Sequence, residues 1–229
     1  MVIIGRHSGR IPRKQQPSRH RFPLRSTALA RLLLTGALAN AALSATEVAL
    51  TGYVRHHHAL WAAGPLLAEV SAGSILGSLL LGAHTSGART SAGRLPRLLA
   101  CYAGGLALLT AAGLDAPLLA VAAPLAGLCL GPILATLFGE AAAVAPSCRG
   151  TETQAWLNSI MNGGAAAGAA AAGAVLGGAG PGRPILALAL AFTLALGAAA
   201  SAAIGEARTI AGHAPDPFGR KEPPGGGLA

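Results

Sequence analysis

The sequence predicts an all-α, polytopic membrane protein, a bundle of six transmembrane helices. Three observations predict it. Hydrophobic residues make up 52% of the 229 residues and charged ones only 11%, where a soluble domain carries about 25% charged residues. The mean hydropathy is +0.54. The apolar residues also gather into six runs, most of them near the ~20 residues that a helix needs to cross about 30 Å of hydrocarbon.

The elements follow in order. Residues 1–27 are basic and carry Pro12, Pro17 and Pro23, which reads as a disordered cytoplasmic arm. The arm is not a secretory signal, because its apolar stretch, MVII, is too short. The membrane domain is expected over 28–206, with spans at 32–54, 60–83, 98–114, 118–144, 151–179 and 185–204. Arg31 and Arg55 bracket the first span, and the polar, basic stretch 84–97 separates the second from the third. LDAP makes the next turn, with Pro117 suited to open a helix. The fourth span contains Pro124 and Pro132, which a membrane bundle tolerates where neighbouring helices re-satisfy the freed backbone groups. GPGRP turns the chain between the fifth and sixth spans, and the Pro/Gly-rich residues 207–229 read as a disordered cytoplasmic tail.

Charge fixes the expected orientation. Arg6, Arg10, Arg13, Lys14, Arg19, Arg21, Arg25 and Arg31 crowd the first 31 residues. Beside a membrane span such a cluster obeys the positive-inside rule rather than marking a nucleic-acid site. Six spans with both termini in the cytoplasm put all but Arg55 and Arg183 of the 17 Lys and Arg inside. The excess of Ala and Gly over aromatic residues suggests a GC-rich coding bias, so a bacterial inner membrane is the expected location.

Two carboxylates fall inside apolar spans. Glu47 lies eight residues before Arg55, and Glu69 lies nine after Leu60. At about 1.5 Å per residue both sit ~12–14 Å below the outer surface. A carboxylate at that depth is costly and marks a functional group by default. Two of them meeting there would repel unless a proton lay between them, which is the property a proton-coupled carrier uses. The alternative is a glutamate that hydrogen-bonds a neighbouring helix. Glu140, near the inner end of the fourth span, and Glu152, opening the fifth, read as interfacial. Asn40, Asn158 and Asn162 are polar residues in apolar helices. They line a substrate path or pin helices together, and Asn158 and Asn162, four apart, share a face.

Other features carry less. Gly pairs of the form GxxxG at 73/77, 127/131, 164/168 and 173/177 permit close helix contact, but 32 glycines make such pairs by chance. His56, His57 and His58 are adjacent on a turn and do not predict a metal site. Cys101, Cys129 and Cys148 read as packed free thiols. No nucleotide-binding loop, GxSxG or HExxH is present, so no cofactor and no enzymatic activity are expected.

The order of elements resembles the C-terminal half of a major facilitator superfamily transporter. Gly82, Arg89, Gly93 and Arg94 stand in the place of that family's basic loop pattern, whose Asp is missing here. RGTETQAWLNSIMNGGAAAG, residues 149–168, resembles the opening of its eleventh helix. The resemblance implies that 32–204 correspond to helices seven to twelve of a secondary carrier, with proton-coupled export of a small, mostly apolar compound. Glu47 and Glu69 are then the proton-handling candidates, and Asn40, Asn158 and Asn162 the path-lining ones. Family members hold substrate between two six-helix halves. The chain is accordingly expected to be a truncated product, a fragment, or a half that pairs with a second half or with a copy of itself. The lipid bilayer and a small-molecule substrate are the expected partners, and nucleic acid is not. The alternative is a non-transporting scaffold, a partner subunit or an inactive remnant.

Overall fold

The computed structural model describes residues 27–84, 93–111, 116–145, 149–178, 180 and 182–212. They form seven helices: α1 (Thr27–His56), α2 (Ala63–His84), α3 (Arg94–Ala111), α4 (Ala116–Gly127), α5 (Leu130–Val144), α6 (Gly150–Leu176) and α7 (Arg183–Gly212), with a short 3₁₀ turn at Leu60–Ala62 before α2. No strand occurs among the described residues. Of the expected arm at 1–27, Thr27 is instead the first residue of α1; the rest of the arm, Arg89, Cys148 and the tail beyond Gly212 lie outside the described residues.

Among the described residues, five stretches are long and apolar enough to cross a membrane: Thr27–His56, Leu60–Leu80, Leu118–Val144, Gly150–Leu176 and Arg183–Ala207. They correspond to the first, second, fourth, fifth and sixth expected spans. The third expected span, 98–114, falls on α3 as far as Ala111, with 112–114 outside the described residues, and α3 is not among the five. α3 begins earlier than expected, at Arg94, so its first turn carries Arg94 and Arg97, both assigned to the loop from sequence. Pro96 does not prevent this start, because backbone N–H groups in a first helical turn have no intrahelical partner to lose. At the other end α7 runs to Gly212, six residues past the expected boundary at 206.

α1 is the central helix, packed most extensively on α6 and α7. α3 packs on α7 and α4, and α2 on α4 and α5. Glycines seat two of these crossings. A Cβ on Gly164 or Gly168 of α6 would run into the carbonyls of Ala37 or Ala41 on α1. On α2, Gly73 abuts the Pro124 carbonyl and Gly77 that of Leu128. In return, Gly127 abuts the Val70 carbonyl and Gly131 the side chain of Ser78. Three of the four GxxxG pairs are therefore interhelical contacts, whereas Gly173 and Gly177 meet no neighbouring helix. Helices in lipid gain little from burying apolar surface against one another, so close backbone approach of this kind is a main source of cohesion.

The fourth span is broken, contrary to the continuous helix expected. α4 ends at Gly127, Leu128 and Cys129 form a turn, and α5 starts at Leu130. Pro132 is the cause: it has no N–H to give the carbonyl four residues back, that of Leu128. The turn keeps a bond from Leu128 N–H to the Pro124 carbonyl at 3.0 Å. The released Leu128 carbonyl is the one that lies against Gly77.

α1 stops in a Schellman turn. Ala59 N–H reaches the Val54 carbonyl at 2.9 Å and His58 N–H the Arg55 carbonyl at 3.3 Å, which places His58 in the left-handed region at φ 53°. Glycine takes that conformation without a Cβ penalty. His58→Gly is therefore expected to stabilise the protein by about 1 kcal/mol, read as a higher midpoint of thermal unfolding in detergent.

The interior is closed by buried leucines such as Leu50, Leu99, Leu106 and Leu188, while Ile75, Leu76, Leu79 and Leu80 on α2 stay more than half exposed. With Leu118 and Val121 of α4, they make an apolar outer surface that water would not favour and hydrocarbon would.

Candidate functional site

The five residues singled out in the sequence fall in different surroundings. Glu69, on α2, is half-buried, and its Oε2 is enclosed with no hydrogen-bond donor in reach among the described residues. Glu47 is exposed on α1. Tyr102 of α3 is fully buried, and its hydroxyl has no hydrogen-bond partner among the described residues. No hydrogen bond or charge interaction joins Glu47 to Glu69 among the described residues. The depth expected in common from sequence is thus not accompanied by a hydrogen bond between them.

Of the two roles open to the asparagines, Asn40 takes the pinning one. Its side-chain N–H₂ donates to the Met161 carbonyl of α6 at 2.9 Å, next to the Gly164–Ala37 crossing. Asn158 and Asn162 are exposed along one side of α6, with Ser159 between them. Gln154 ties the same helix to α5, donating to the Phe138 carbonyl at 3.0 Å. Glu152 stands in the first turn of α6, where the helix dipole favours an anion, 3.9 Å from Arg149.

A feature not anticipated from sequence is a cavity of about 450 Å³ at one end of the bundle. It lies where α1 and α3 begin and α5 and α7 finish, so the two ends of the helical chain share one side. Arg31, Glu140 and Glu206 line it, with Thr35 and Ser201 and the apolar side chains of Leu32, Leu95 and Val144. Thr35 and Ser201 hydroxyls bond each other at 2.7 Å, and Ser201 donates onward to the Ala198 carbonyl at 2.8 Å. Thr35 is therefore the donor in the first bond. Glu140 and Glu206 are near enough to repel, and Glu206 Oε1 and the Arg97 guanidinium both approach Gly93. Sequence position made Glu140 interfacial and set Glu206 at the domain border. Only the convergence of four helix ends joins them. The available signal was that an even number of spans brings the start of α1 and the end of α7 to one side.

No known protein family, curated protein or solved structure matches the chain. Fold and site together define a protein that is all-helical among the described residues, with five stretches there fit to span a membrane.

Proposed function

We propose that this chain is a membrane transport protein, a six-helix half of the major-facilitator type that exports a small, mostly apolar compound against proton entry across a bacterial inner membrane. The observation that carries the reading is the enclosed, unbonded Oε2 of Glu69 in an apolar span. An unsatisfied buried acceptor is costly. In a span it is retained where a proton or a substrate donor visits it. Glu47 is the second proton-handling group.

The arrangement of the ends supports an even number of crossings. Arg31 at the start of α1 and Glu206 near the end of α7 line one cavity. α3 then makes the sixth crossing, and the basic arm, the 84–97 stretch and the tail face the cytoplasm. The open side of α6, with Asn158 and Asn162, is where a second half or a second copy completes the path.

The test is proton flux. Proteoliposomes holding the chain, alone and with a co-expressed partner half, are given an inward proton gradient and a panel of small lipophilic compounds. Compound-dependent dissipation of the gradient is the expected result. A gradient that decays at the same rate with and without protein, for every compound and both assemblies, contradicts the proposal.

A further inference from the structure

We propose that Cys101 and Cys129 form a reversible intramolecular disulfide, a redox-modifiable tie between α3 and the break in the fourth span. The start of α3 and the end of α5 line the same cavity, so α3 runs antiparallel to α4 and α5. Their crossing puts Gly105 of α3 against Ala126 of α4. One turn back along α3 is Cys101. About one turn onward in the opposing span is Cys129, within the two-residue break. The register thus brings the two cysteines level, and the Cys101 thiol is within electrostatic reach of Cys129.

The surroundings suit the modification. Cys101 is exposed and Cys129 half-buried, and Cys129 precedes the first residue of α5, where the backbone has more freedom to shift than inside a helix. A disulfide needs the two Cβ atoms at about 3.5–4.5 Å, so neighbouring thiols close with a small movement. Both the dithiol and the disulfide are uncharged, and the conversion brings no charge into an apolar span. Cys101 opens on the outer surface of a bundle whose neighbouring side chains suit hydrocarbon, so the oxidant in reach is a lipid-soluble quinone. Two S–H bonds break and one S–S bond forms. Both protons and both electrons pass to the quinone, which leaves as the quinol. The free thiols expected from sequence at Cys101 and Cys129 are the reduced state of this pair, although Cys101 is exposed rather than packed. The inference requires the membrane placement and is independent of transport.

The test counts thiols. The purified full chain in detergent is treated with tetramethyl-1,4-benzoquinone, which has neither a free ring position nor a leaving group for a thiol to displace, then denatured and labelled with a maleimide. With three cysteines in the chain, the untreated protein takes three labels. The oxidised protein is expected to take one, to migrate as a monomer, and to yield a linked peptide joining Cys101 to Cys129; dithiothreitol restores three. Cys148→Ser still loses two labels and Cys101→Ser loses none. Three labels after oxidation, a linked peptide containing Cys148, or label loss that persists in Cys101→Ser each overturn the proposal. If a serine variant does not fold, the linked peptide from the unsubstituted chain decides.

Discussion

Gly77→Leu is expected to cost about 3 kcal/mol or more, through separation of α2 from α4 and α5. A side chain at this position meets backbone, the carbonyl of Leu128, and backbone cannot rotate aside as a neighbouring side chain can. Inserting atoms into a packed interior typically costs about 1–3 kcal/mol even where side chains can adjust. Here the helices must move apart, which also undoes the contacts of Gly73, Gly127 and Gly131. The Leu128 carbonyl has lost its helical donor to Pro132, so a shift there disturbs the least supported turn of the span. Titration with a denaturing detergent, following helicity, reads the loss. Gly173→Ala is the control: nothing lies within 4 Å of a Cβ there, and the higher helix propensity of alanine should leave stability unchanged or raise it by about 0.5–1 kcal/mol. Equal losses in both variants would mean that the crossing at Gly77 is not tight.

Glu69→Gln is expected to reduce substrate-dependent proton flux at least ~10-fold, which corresponds to about 1.4 kcal/mol or more in the coupled step. The substitution preserves shape and keeps an oxygen, so packing around α2 should hold and the folded yield should match the parent. What it removes is the ability to take up and release a proton at the enclosed oxygen. Glu152→Gln, in the exposed first turn of α6, is the comparison and should retain flux. Coupled flux that survives Glu69→Gln unchanged would remove Glu69 from proton handling.

What could be read in the sequence was set by what a continuous apolar run reveals. The runs that became α1, α2, α6 and α7 are unambiguous because twenty or so apolar residues leave few other structures. Where polar residues encroach, the reading slipped: the arginines at 94 and 97 looked like loop, yet they occupy the first turn of α3. The two prolines of the fourth span were expected to be absorbed without a break. The outcome turned on a particular acceptor, the Leu128 carbonyl, and on a glycine across the crossing to receive it. The GxxxG pairs show the same limit, since the pair at 173/177 is indistinguishable in sequence from those that pack.

The candidate site was legible only residue by residue. Glu69 stood out because a carboxylate in an apolar span is rare. That Asn40 is spent on the Met161 carbonyl while Asn158 and Asn162 stay open follows from the rotation of α1 and α6 about their glycine crossing, which a spacing of four residues does not encode. Arg31, Glu140 and Glu206 come from helices far apart in the chain, and the cavity they line requires the assembled bundle. The same is true of Cys101 and Cys129.

The central claim is that these helices cross a bilayer, with α1 starting and α7 ending on one side of it. Single cysteines placed at His58, Gly93, Gly180 and Gly212 in a cysteine-free background, and labelled in intact cells with a membrane-impermeant maleimide, measure this directly. Positions 58 and 180 should label together, and positions 93 and 212 only after the membrane is opened. Labelling of all four in intact cells, or a chain recovered in the aqueous phase without detergent so that no sidedness exists, would contradict it.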